Sequence, residues 1–212
     1  MSWLLYGVLA KNAAVTVPEK LQKIDAESLS AIVQIGETEL SLASETVLAY
    51  GEKIAFIHQQ TAFIPMRYGS VLASQETVLA HLAEFAERYH ERLKMLDNCD
   101  EFGIRLPLET LETEKSHAGG LHYLLARKRA YSLPEKVEQQ ATFVNETLAG
   151  LYRQVHASES FFNGQRTYLL SYLVPRSQLS RFQHQVSLLQ NSLPANAIFS
   201  GPWTPYTFTS VL

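Results

Sequence analysis

The chain has 212 residues, enough for one large domain or two small ones to bury a core unaided, and a hydrophobic fraction of 46% is consistent with that. Charged residues make up only 18%, below the usual share of about 25%. A formal net charge of -3 and a pI near 6.2 give no electrostatic basis for nucleic acid or an anionic membrane as partner.

The N-terminal run MSWLLYGVLAKNAAV has no preceding basic region, and Lys11 interrupts it too early for a membrane-spanning helix. It reads as a buried strand over Trp3 to Leu9. After a short segment around Lys20 comes a second apolar run, Leu29 to Ile35, and a turn at Gly36. Leu42, Val47 and Leu48 carry helical spacing. Beyond Gly51, Ile54 to Ile57 reads as a strand, and so does Tyr68 to Leu72, with Pro65 suited to a strand's start.

From Ser74 the period changes. Leu79, Leu82, Phe85, Tyr89, Leu93 and Leu96 recur at three and four residues, which predicts an amphipathic helix with Ser74 as N-cap and Glu76 near its positive end. Past Cys99, Glu101 to Leu106 precedes an acidic stretch with Glu109, Glu112 and Glu114. Gly119-Gly120 then opens a segment holding Arg127, Lys128 and Arg129. A second helix is predicted from Val137, Ala141, Val144, Leu148, Leu151 and Val155; this heptad seam is short, and an internal helix packed on a sheet explains it better than a coiled coil.

Thr167 to Val174, ending at Pro175, reads as a buried strand. Leu179, Phe182, Val186 and Leu189 mark a third helix stopping near Pro194, and a last strand passes through Ile198 and Phe199. The fold class expected is α+β in two domains. Residues 1–98 form a mixed domain of strands and helices. Residues 99–212 form a modified ferredoxin-like sandwich, ordered strand, helix, strand, helix, strand, with one strand missing or hidden in a loop.

Few residues suggest chemistry. The seven histidines are scattered. Glu87 and His90 form a Glu-x-x-His pair with Glu84 one turn earlier, but a di-iron site needs a second such pair and none occurs; a solvated helix face is the simpler reading. Cys99 is flanked by Asn98 and Asp100 at a predicted helix end, a setting that disfavours a thiolate, and reads as a small half-buried residue; alone it can form neither an intrachain disulfide nor a zinc site of the CxxC kind, and the expected compartment is the cytoplasm. GxSxG, Walker and GxGxxG signatures are absent. The basic run Arg127-Lys128-Arg129, with Tyr123 and Tyr131 nearby, has acidic residues upstream to pair with and reads as a solvated helix face. The expectation is a protein that is not an enzyme and carries no cofactor.

Several stretches resemble one family. Phe63-Ile64-Pro65-Met66-Arg67-Tyr68-Gly69-Ser70 is similar to the Pro-hydrophobe-Arg-aromatic-Gly segment of gas vesicle F and L proteins. Gly201-Pro202-Trp203-Thr204-Pro205-Tyr206-Thr207-Phe208 resembles their Gly-Pro-Trp-Pro-Pro-Tyr-Ser-Phe ending, with Thr204 where Pro is usual. Glu101-Phe102-Gly103-Ile104-Arg105, Gly120-Leu121-His122-Tyr123-Leu124 and the opening Leu5-Tyr6-Gly7-Val8 match further segments in the same order.

The resemblance implies an accessory or minor structural protein of gas vesicle assembly, cytoplasmic or on the vesicle. Its implied partners are the main shell protein, of the GvpA type, and other gas vesicle accessory proteins, with no nucleic acid and no membrane. The residues it singles out are Pro65, Arg67, Gly69, Glu101, Arg105, Tyr123, Gly201, Pro202, Trp203, Pro205 and Tyr206. Physically, Pro202 and Pro205 stiffen the segment around Trp203, leaving that indole either closing the core or exposed for docking. Arg67 either pairs internally, with Glu101 for example, or faces a partner. The alternative function is a ferredoxin-like regulatory module that binds a small molecule.

Overall fold

The computed structural model describes residues 2–36, 41–108 and 133–209. They group into two compact units. The first comprises Met1–Glu101, Pro175–Ser177 and Pro202–Leu212, the second Phe102–Val174 and Gln178–Gly201.

The first unit is built on an antiparallel sheet of β1 (Ser2–Ala10), β2 (Gln22–Asp25), β3 (Leu29–Gly36), β4 (Ile64–Pro65) and β5 (Val71–Leu72). The order is β2-β3-β1-β4, and β5 also pairs with β1. Strand β1 is buried along almost its whole length, as its unbroken apolar run requires. It pairs with β3 from Ser2↔Gly36 to Ala10↔Leu29, with a bulge between Leu5 and Gly7.

Helix α1 (Ser44–His58) absorbs the run Ile54 to Ile57, expected above to be a strand. A four-residue apolar run fits either state. Here Tyr50, Ile54 and Ile57 fall on one helical face and are buried with Tyr6, Ile32 and Phe63. Each isoleucine so buried contributes about 1.5–3 kcal/mol. The Tyr50 hydroxyl donates to the carbonyls of Leu5 and Met66, at 3.0 and 2.9 Å, and burial pushes its pKa well above the ordinary phenol value.

The stripe that opens at Ser74 forms two helices, α2 (Gln75–Glu84) and α3 (Ala86–Leu96), which meet at Phe85. Ser74 caps α2 as expected: its hydroxyl accepts from Thr77 N, and Thr77 Oγ1 accepts from Ser74 N at 2.8 Å, worth about 1 kcal/mol. Cys99 does not end a helix. It opens strand β6 and is fully buried, not half-buried, because that strand starts at the core.

The sheet of the second unit has the order β7-β8-β6-β9, from β6 (Cys99–Pro107), β7 (Gln154–Phe162), β8 (Gln165–Pro175) and β9 (Ile198–Trp203). Helices α4 (Glu135–Thr147) and α5 (Leu179–Leu189) complete it. Among the described residues the succession is β-α-β-β-α-β, a ferredoxin-like sandwich with its full set of strands. The strand thought missing is β7. Its residue Val155 continued the helical stripe of Val137 to Leu151, but α4 stops at Thr147 and β7 pairs with β8 from Gln154↔Leu173 to Phe162↔Gln165. The two-residue loop Asn163-Gly164 has positive φ at both positions, 49° and 77°, as a tight hairpin turn demands.

The core of this unit alternates along its strands: Phe102, Ile104 and Leu106 from β6 meet Leu170, Tyr172 and Val174 from β8. Val137 and Val144 of α4 and Phe182 and Leu189 of α5 close it. Tyr123, the acidic stretch Glu109 to Glu114 and the basic run Arg127 to Arg129 lie outside the described residues.

Candidate functional site

Helix α1 is apolar on two sides. A side adjoining its core face presents Val47, Leu48, Gly51 and Ala55 to a groove that Glu52 also lines. Pro202, Trp203, Thr204 and Tyr206 form the facing wall of that groove, of about 670 Å³, every residue of which belongs to the first unit. Leu48 is 66% exposed and Trp203 60%, values that core residues never reach. Gly51 and Ala55 keep the floor low, and a Cβ added at Gly51 would meet only open space.

One end of the groove is polar. His58 Nε2 lies 2.8 Å from Asp100 Oδ1, and Arg176 donates to both carboxylate oxygens through Nε at 3.3 Å and to Oδ1 through Nη2 at 3.1 Å. Arg176 also donates to the carbonyls of His58 and Gln59, 2.9 and 3.4 Å away, which are freed at the end of α1. Burial by itself would raise the Asp100 pKa. The hydrogen bonds and positive charge of His58 and Arg176 outweigh it and hold the carboxyl below its ordinary range.

His58 Nδ1 is buried with no hydrogen-bond partner among the described residues. The trio ties α1 to the start of β6 and to the turn Arg176–Gln178. Nothing in the sequence pointed to this cluster: its three members are far apart in the chain, and only folding brings them together.

The C-terminal signature divides. Phe208 is buried, while Trp203 and Tyr206 are exposed at 60% and 39%. Gly201 takes a φ of 118°, in the region glycine favours, and Pro205 leads into the turn Tyr206–Phe208. Glu101 accepts from Thr207 N and Thr207 Oγ1 and thereby holds that turn. Among the described residues Arg67 makes no ion pair with Glu101, whose carboxylate accepts from Thr207 instead.

The Pro65 segment makes a second feature of the same unit. Pro65 is buried in β4 opposite Gly7. The turn Arg67–Ser70 closes with Ser70 N donating to Arg67 O at 3.1 Å, and Gly69 supplies the φ of 94° that such a turn requires of its third residue. Only Val71–Leu72 of the expected Tyr68 to Leu72 strand is extended and paired, because the turn occupies the rest. Arg105, in the second unit, donates to Ser160 Oγ at 2.7 Å and lies 5.1 Å over the Phe162 ring. His90 Nε2 lies 2.8 Å from Ser28 Oγ, and among the described residues no three His, Cys, Asp or Glu side chains gather as a metal site would need.

These features define a class: an α+β protein that joins an antiparallel-sheet unit to a ferredoxin-like one and displays a proline-stiffened aromatic tail beside an apolar helix face. The chain belongs to the gas vesicle synthesis protein GvpL/GvpF family, whose family model matches residues 2–210. It is 24% identical over 239 aligned positions to gas vesicle protein F of Streptomyces sp. (strain CB03234), covering 98% of this chain and 99% of that one. Its fold is that of the gas vesicle protein GvpF crystal structures from Anabaena sp. PCC7120 and Microcystis aeruginosa. For the first the TM-score is 0.73 at 18% identity, with 99% of this chain and 96% of that one covered; for the second it is 0.73 at 15%, with 99% of each covered. No helix among the described residues is long and apolar enough to cross a membrane.

Proposed function

We propose that this chain acts by binding, holding an apolar amphipathic segment of the main gas vesicle shell protein in the groove between α1 and the Pro202–Tyr206 tail and so assisting assembly in the cytoplasm. The observation that carries the reading is the exposure of Leu48 and Trp203 on facing walls of one groove. Exposed aromatics beside aliphatic residues on a small-residue floor match a helix-in-groove mode of recognition. Burying an apolar face of the partner disfavours its self-association, and release accompanies shell growth.

The test is co-purification with the shell protein. Removing the whole tail is the wrong variant, since Phe208 is core and Thr207 is bonded to Glu101. Trp203→Ala and Leu48→Glu leave the fold intact, and each is expected to weaken binding about tenfold or more, the scale of an interface anchor. Unchanged binding in both variants sinks the groove as the docking surface.

A further inference from the structure

The groove does not use Arg67, although the segment that carries it is one of those that resemble the family. Arg67 is exposed and, among the described residues, has no ion pair or side-chain hydrogen bond. It stands beside a separate cavity of about 440 Å³ in the first unit, which shares no lining residue with the groove. That volume lies in the roughly 300–1,000 Å³ range of small-ligand sites.

One wall of the cavity is aromatic. His81, Phe85 and Tyr89 recur every four residues across the meeting point of α2 and α3, with ring centroids 4.9 Å apart for His81 and Phe85 and 5.9 Å for His81 and Tyr89. His81 Nε2 and the Tyr89 hydroxyl are 2.7 Å apart. Burial pushes the imidazole below its ordinary value and the phenol up to about 12, so both are neutral near pH 7. Leu5, Met66 and Leu72 supply apolar surface facing the rings. The hydroxyls of Ser70 and Thr209 already donate to backbone carbonyls, those of Arg67 and Tyr206. The cavity is thus mostly apolar, His81 and Tyr89 in its lining are neutral, and its one lining cation, Arg67, makes no side-chain hydrogen bond or ion pair among the described residues.

We infer that this cavity is a binding site for an apolar body ending in a carboxylate. A guanidinium engages a carboxylate through two parallel hydrogen bonds, while the rings and aliphatic side chains take up the hydrocarbon. The carboxylate belongs either to a free acid or to an acidic side chain within an apolar peptide; the chemistry at Arg67 is the same.

Calorimetric titration of the full chain with octanoate and with the isosteric neutral octanamide tests the inference. Octanoate binds saturably and at least fivefold more tightly than octanamide, and Arg67→Gln abolishes the preference without changing the melting temperature. Phe85→Ala weakens both ligands. A blocked octapeptide with one glutamate flanked by leucines competes with octanoate: tighter binding of the peptide identifies a protein segment as the source, tighter binding of octanoate a free acid. Equal affinity for octanoate and octanamide, a preference that survives in Arg67→Gln, or binding of neither octanoate nor the peptide overturns the inference. None of these outcomes depends on the shell protein, so failure here leaves the groove reading standing.

Discussion

The two concavities of the first unit spend their cations in opposite ways. At the end of the α1 groove, Arg176 gives its donors to Asp100 and to the carbonyls of His58 and Gln59, so its charge is consumed in holding the chain together. At the aromatic cavity, Arg67 opens a tight turn and has no such partners among the described residues. A saturated arginine stabilises, and an unsaturated one on a rigid turn is available to a ligand.

The contrast can be broken most forcefully at Asp100. Replacing it with Ala strands a buried imidazole and a largely buried guanidinium, and denaturant unfolding is expected to register a loss of about 3 kcal/mol, the low end for a broken buried ion pair because Arg176 keeps some solvent contact. A loss under about 1 kcal/mol would mean that the trio does not hold α1.

Acid gives a smaller and graded effect. Asp100 stays ionised to lower pH in the native chain than in the unfolded one, so its contribution is complete above the ordinary value of 3.8 and disappears as pH falls through the lowered native value. His81, kept neutral by burial, adds stability above its ordinary 6.5 and loses it as pH drops below that. Melting temperatures of wild type should therefore begin to fall below about pH 6.5 and fall more steeply below about pH 4, and Asp100→Asn should flatten only the lower limb. The smallest effect belongs to Arg67. Arg67→Gln should change stability by no more than about 0.5 kcal/mol; a larger loss would place Arg67 with Arg176 among the structural cations.

How much of this could be read in the sequence depended on whether the signal was local. Strand β1, the Ser74 cap and helix α5 were legible because a period or a capping residue sits within a few positions of what it specifies. Helix α1 was misread at Ile54 to Ile57 because apolar residues lie both on its core face and on its groove side, which blurs the helical period of the run. Strand β7 was missed because Val155 happens to continue the α4 stripe. Asn163-Gly164 held the correcting signal, a hairpin turn eight residues on. The exposed placement of Trp203 and the burial of Phe208 in the same signature could not be told apart by residue type. The His58, Asp100 and Arg176 cluster left no trace at all, since its partners are 42 and 76 residues apart in sequence.

The first unit takes its last pieces from the far end of the chain: Phe208 fills its core and Pro202 to Tyr206 wall its groove. During synthesis, then, the N-terminal sheet, complete at Leu72, leaves the ribosome roughly 7–27 s before the residues that finish the unit, at about 5–20 residues per second. The groove exists only once Pro202 to Tyr206 have been made, and a shorter nascent chain has no such surface with which to seize a hydrophobic neighbour being made alongside it.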